Sequence, residues 1–134
     1  MSEAAKTLGI DHLGLTVANL DASTRFFVDA LGWTQFGGNP DYPSAYVTDG
    51  SSKLTLWQQK TDGSAFDRQA NVGLHHTALK VATEDDLNAV FNKVQDWPGV
   101  DIEFAPEFSG KGPKVHFMIR EPGGTRLEFS YDPR

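Results

Sequence analysis

The sequence predicts an α+β fold of two βαβββ modules that form a curled mixed sheet with one helix outside each. Two observations carry this prediction. DHLGLTV at 11–17 reappears as HHTALKV at 75–81, with His12 and His76 standing 64 residues apart. At the same spacing Leu15 matches Leu79, Val17 matches Val81, Phe27 matches Phe91 and Trp33 matches Trp97. A repeat this long exceeds most solenoid repeats and fits a whole βα unit. The second observation is the alternation of apolar and polar residues in the intervening segments, the period of a half-buried strand.

The first module, 8–60, opens with a strand at 11–17, where Leu13, Leu15 and Val17 alternate with His12, Gly14 and Thr16. Asn19 is placed to cap a helix that runs to Leu31, with Leu20, Phe26, Phe27 and Ala30 as its apolar stripe and Gly32 as its stop. Strands are expected at 33–37, 44–48 and 53–58, broken by Gly37–Pro40 and Asp49-Gly50. The polar stretch from Gln59 to Asn71 reads as a linker. The second module, 72–132, repeats the order within what is expected to be one compact domain, 8–132. A strand at 74–81 leads to Thr83, with Asp86 three residues on, at the head of a helix carrying Leu87, Val90, Phe91 and Val94. Strands follow at 101–105, 114–120 and 125–131. The closing strands align at 73 residues instead of 64, because the second module carries extra residues around the loop PEFSGKGPK at 106–114.

Composition excludes several function classes. The 134 residues carry 12 Lys and Arg against 18 Asp and Glu, a net charge of −6 without a basic run, which argues against a nucleic-acid partner. There is no cysteine, so a metal would have to be held by His, Asp or Glu. No apolar run reaches the roughly 20 residues needed to span a bilayer, and MSEAAKTLG lacks the apolar core of a signal peptide. The expectation is a cytoplasmic protein without a membrane partner.

Side chains alternate across a strand, so parity sorts them by face. Leu13, Leu15 and Val17 face the helix, as do Leu79, Val81, Leu127 and Phe129. The opposite face gathers His12, His76, His116 and Glu128 beside the small residues Gly14 and Ala78. Polar residues on that face also suit the wet side of an antiparallel sheet. Two histidines at equivalent repeat positions with one carboxylate nevertheless match a known divalent-metal arrangement. His75 has opposite parity and is expected to be structural. His116 shares the face and is a candidate for acid–base work or for orienting a ligand. Thr55, Trp57 and Met118 are candidates for a substrate pocket, although Trp57 also suits simple core filling.

IDHLGLTVANLDASTRFFVDALGW at 10–33, GLHHTALKV at 73–81 and REPGGTRLEFSYDP at 120–133 together resemble the vicinal oxygen chelate superfamily. That superfamily includes glyoxalase I, extradiol dioxygenases, fosfomycin-resistance transferases and bleomycin-binding proteins. The resemblance implies a cup of paired βαβββ modules around a divalent ion. It places His12, His76 and Glu128 as metal ligands, and Glu121 at the position of the Asp that opens the family's closing motif. The fourth ligand position of glyoxalase I, a Glu, is Thr55 here. Ring-cleaving dioxygenases and fosfomycin transferases carry a Tyr near the position of Met118.

What the resemblance implies is a metal-dependent, glyoxalase-type lyase or isomerase acting on a small substrate with adjacent oxygens. The metal, Fe, Mn, Ni, Co or Zn, would serve as Lewis acid for oxyanionic charge, and Glu128 would be its carboxylate ligand and a candidate catalytic group. An Fe(II) extradiol-type dioxygenase and a metal-free module that sequesters a drug or metabolite are the alternatives. A homodimer is expected, since each module alone is small for a core and modules of different chains complete such cups in this family.

Overall fold

The computed structural model describes residues 6–63 and 65–134; the first five residues of the N-terminal segment read above, and Ser64 of the linker, lie outside the described residues. The first module runs β1 (Leu13–Val17), α1 (Leu20–Arg25, continued by a π-helical stretch Phe26–Ala30), β2 (Thr34–Asn39), β3 (Ser44–Thr48) and β4 (Lys53–Gln58). The second runs β5 (Thr77–Lys80), α2 (Glu84–Val94), β6 (Asp101–Phe108), β7 (Val115–Arg120) and β8 (Arg126–Tyr131). Both helix starts follow from their caps. Asn19 Oδ1 accepts from the Ala22 amide at 3.0 Å, and Thr83 Oγ1 from the Asp86 amide at 3.0 Å. Among the described residues no helix is long and apolar enough to cross a membrane.

Each module makes one four-stranded mixed sheet, ordered β1-β4-β3-β2 and β5-β8-β7-β6. The first strand of each runs parallel to the last, and the other neighbours are antiparallel. The register carries the repeat into space: Gly14 pairs with Thr55 in the first sheet, as Ala78 pairs with Glu128 in the second. Thr55 therefore holds in its module the place that Glu128 holds in the other.

Helix α1 packs on β3 and β4, and α2 on β6, β7 and β8. The apolar faces merge into one cluster that includes Val17, Phe26, Phe27 and Leu56 from the first module and Leu87, Phe117, Ile119 and Leu127 from the second. Each of these side chains is fully buried, a contribution of roughly 1.5–3 kcal/mol apiece against leaving it in water. Two small modules thus share one core.

Three local expectations need correction. The first helix ends in a π turn, with the Leu31 amide bonded to Phe26 O at 3.1 Å, and the wider turn lets the consecutive Phe26 and Phe27 both face the core. Strand β2 runs through Gly37 and Gly38 instead of breaking there; a Cβ on Gly37 would lie 2.8 Å from the Tyr46 ring, so glycine admits the close approach. Strand β6 extends to Phe108 and takes in Pro106, with register shifts on either side of Phe104 absorbing the proline.

Candidate functional site

His12 and His76 each stand one residue before a strand, upstream of β1 and β5. Strand alternation does not govern them there, and it does not govern His75. His75 lies beside His76 instead of on the opposite face. The rings are 5.0 Å apart, Nδ1 is 2.7 Å from Nδ1, and both residues border the same cavity.

Glu128 is the hub of the second module. Its side chain is buried, and His76 Nε2 lies 3.0 Å from one carboxylate oxygen. The other oxygen meets His116 Nδ1 at 2.9 Å and Lys114 Nζ at 3.4 Å. Burial raises the carboxyl, but the His116 hydrogen bond and the Lys114 ammonium outweigh it and hold the group below its ordinary range. Met118 pairs with Glu128 in the β7–β8 register and is buried beside it. The structure brings His76, His116 and Glu128 side by side. The sequence reading missed Lys114, although it stands two residues before His116 and so shares its parity.

His12 does not join them within the chain. It is exposed, and its Nδ1 contacts Asp11 Oδ2 at 2.7 Å, which leaves Nε2 free. The His12 hydrogen bond, with the Lys53 charge, lowers the Asp11 carboxyl. A carboxylate on one ring nitrogen is the usual means of presenting the other to a metal. Among the described residues of a single chain no three His, Asp or Glu side chains are grouped to hold an ion.

Behind His76 runs a polar chain. Arg126 clasps Glu103 with two bonds, 2.8 and 2.6 Å, and a third nitrogen lies 3.4 Å from His75 Nδ1. Guanidinium N–H groups only donate, so the Arg126 contact favours the tautomer in which His75 Nδ1 accepts and His76 Nδ1 donates across the 2.7 Å. Desolvation, then the charges of Arg126, His76 and Arg68, lowers the His75 pKa, which favours this neutral ring. In a neutral His76, Nε2 is left with its lone pair facing the Glu128 carboxylate.

The corresponding face of the first sheet is aromatic. Trp57 packs against Tyr42 and Tyr46 at centroid distances of 5.0 and 5.9 Å, and Phe36 against Tyr46 at 5.9 Å. Trp57 Nε1 donates to Thr55 Oγ1 at 2.9 Å, so the Thr55 hydroxyl already serves a neighbour. Gly14 lies under both, and a Cβ there would be 3.3 Å from Thr55 Oγ1.

Comparison with known proteins agrees with this architecture. Residues 9–129 match the family model described as the Glyoxalase/Bleomycin resistance protein/Dioxygenase superfamily. No curated protein matches the chain. Among solved structures, a glyoxylase/bleomycin resistance protein/dioxygenase domain from Frankia sp. has TM-score 0.79 at 23% identity, covering 95% of this chain and 99% of that one. A lactoylglutathione lyase from Agrobacterium tumefaciens has TM-score 0.70 at 18% identity, covering 94% and 95%. A glyoxalase family protein from Enterococcus faecalis has TM-score 0.72 at 21% identity, covering 92% and 98%. At these identities the likeness is one of fold.

Proposed function

Because the chain belongs to the glyoxalase/bleomycin resistance protein/dioxygenase superfamily, we propose that it is a metal-dependent enzyme of glyoxalase type acting on a small substrate with adjacent oxygens. His12, His76 and Glu128 are the proposed metal ligands. The observation that carries this reading is the 3.0 Å contact between His76 Nε2 and Glu128 Oε1. With the His76 Nδ1 proton committed to His75, two lone-pair atoms face each other, and that arrangement needs a proton or a metal cation between them.

The donor set fits a borderline divalent ion: imidazole nitrogens and one carboxylate, with no thiolate in the chain. Bound there, the ion supplies Lewis-acid stabilisation of negative charge on substrate oxygens. The residues supply the rest. His116 fixes the second oxygen of Glu128, His75 fixes the His76 ring, and Asp11 fixes His12. Because His12 lies apart from Glu128 within one chain, the reading requires a homodimer in which His12 of one copy meets His76 and Glu128 of the other. Leu8, Ile10 and Val72, exposed at 104%, 85% and 105%, are apolar surface available for such an interface.

The aromatic wall of Tyr42, Tyr46 and Trp57 supports a second reading, a metal-free module that sequesters a planar apolar molecule. Metal titration of His12→Ala, His76→Ala and Glu128→Gln separates the two. The enzyme reading expects severe loss in all three, since two remaining ligands hold a labile ion poorly. No loss in any of them would sink it. Sedimentation showing only a species near 14.7 kDa at micromolar concentrations would remove the dimer.

A further inference from the structure

A cavity of about 600 Å3 lies along the seam of the two modules, between β1, the segment leading to β5, and the turn from β7 to β8. That volume falls within the roughly 300–1,000 Å3 of small-molecule sites. Arg68, Arg120 and Arg126 line it, as do the apolar side chains of Phe66 and Leu74. In a chain of net charge −6, three guanidinium groups around one cavity are a local reversal of sign.

Their bonding is unequal. Arg126 is satisfied by Glu103. Arg68 and Arg120 form no ion pair among the described residues. The Arg68 Nε is shut off from water and has no hydrogen-bond partner among them. Arg68 is presented by a knitted turn: the Asp67 amide donates to Asn71 Oδ1 at 2.8 Å, and the Asn71 amide to Asp67 O at 2.8 Å. The neighbouring Asp67 carboxylate, also on the cavity, is engaged by the Gln69 amide at 2.9 Å.

Arg120 and Arg126 are directly opposed in the β7–β8 register, a like-charge pairing that costs stability unless something neutralises it. Asp101 is opposite Arg120 on the other side, in β6, without forming an ion pair. The Glu103 carboxyl is lowered first by its hydrogen bond from Arg126 and further by the charges of Arg126, Arg68 and Arg120, so the three positive fields overlap there. Glu103 and Asp67 together offset two of the three charges. Arg68 and Arg120 remain without an ion pair among the described residues, and the Arg68 Nε remains a buried, unmet donor.

We propose that this cavity binds a small organic anion, its carboxylate or phosphate held by Arg68 and Arg120 and its apolar body covered by Phe66 and Leu74. Planar guanidinium forks are the side chains best shaped for two-point contact with either group. Phe66 is already placed for this, its ring lying over Gly73, where a Cβ would come within 2.9 Å. His76, a proposed metal ligand, borders the same cavity, so the proposal rests on that reading of the site. None of these four residues is a ligand, however, and anion binding measured without metal is read separately from metal binding.

The test is calorimetric titration of the full chain in EDTA against phenyl phosphate, benzoate, inorganic phosphate and benzyl alcohol. Expected is saturable binding of phenyl phosphate or benzoate, weakened about tenfold or more in Arg68→Ala and in Arg120→Ala. Preference between the two anions identifies the phosphate or the carboxylate as the ligand group. Circular dichroism checks that each variant is folded. Arg68→Lys, which keeps the charge and loses the fork, should fall between wild type and Arg68→Ala. Four results would overturn the proposal: no binding of either organic anion, equal binding by the folded alanine variants, equal binding of benzyl alcohol, or inorganic phosphate binding as tightly as phenyl phosphate.

Discussion

Ser23 Oγ donates to Glu121 Oε2 at 2.8 Å, joining α1 of the first module to the end of β7 in the second across 98 positions of sequence. Both residues are buried, and the same carboxylate accepts from the amides of Gly123 at 2.8 Å and Thr125 at 3.1 Å. The turn closes further on the first module through the Ala18 amide and Gly123 O at 2.9 Å. One acid thus shapes the β7–β8 turn and latches the modules together.

Glu121→Ala should therefore destabilise the chain by about 2–4 kcal/mol, because three donors lose their acceptor in a buried place. Urea unfolding measures it. Gly123→Ala should cost a comparable amount, since its Cβ would collide with Ser23 Oγ and come within 2.7 Å of Val17 Cβ. A loss below about 0.5 kcal/mol in either variant would show that the latch is dispensable.

Acid should weaken the fold through a second pair. Arg126 holds the Glu103 carboxyl below its ordinary value of 4.5, and desolvation opposes this without winning. A lowered folded-state pKa contributes stability that is complete above the unfolded value and is lost as pH falls through the folded one. The pair is partly exposed, so the amount is about 0.5–1 kcal/mol. Wild type should lose that much relative to Glu103→Gln below pH 4.5, and parallel pH curves for the two proteins would contradict it.

The paired helices, the mixed sheets and the helix-facing residues were legible because each rests on a local period or cap: Asn19, Thr83, and the alternation through Leu15, Val17, Leu127 and Phe129. The π turn after Phe26 was not, since a change of hydrogen-bond partner from four residues to five leaves no mark in an apolar stripe. At the site, parity grouped His116 and Glu128 because both lie inside β7 and β8, whereas His76 stands before β5, outside its reach. Parity failed for His75, which precedes β5, where the chain is free of the pleat. The arginine-lined cavity was invisible for another reason. Its cations come from a linker turn, a strand end and the start of β8, and no spacing rule links those places.

Lys114 should work against a metal on Glu128. Its ammonium lies 3.4 Å from the carboxylate and competes with any other cation there. Lys114→Met should tighten divalent-ion binding severalfold, more at low than at high ionic strength. Calorimetric titration with Zn2+ and Ni2+ at two salt concentrations reads the effect. Weaker binding in the variant would mean that Lys114 holds Glu128 in place instead of competing with the ion.

His75 gives the sharpest contrast between sequence and structure. Strand alternation expects its removal to leave metal content intact, because its side chain should turn to the other face. The structure instead puts its Nδ1 2.7 Å from that of His76, with Arg126 behind it. An acceptor there keeps the proton of His76 on Nδ1 and its Nε2 lone pair toward Glu128. Partners of this kind typically contribute 10–100-fold in metal affinity. His75→Ala should thus weaken binding about tenfold, less than His76→Ala, while leaving urea stability within about 0.5 kcal/mol of wild type, as expected for an exposed residue. His75→Gln, whose carbonyl can accept the same proton, should recover part of the loss. Unchanged affinity in His75→Ala would make the residue a bystander and return His76 to orientation by its backbone alone.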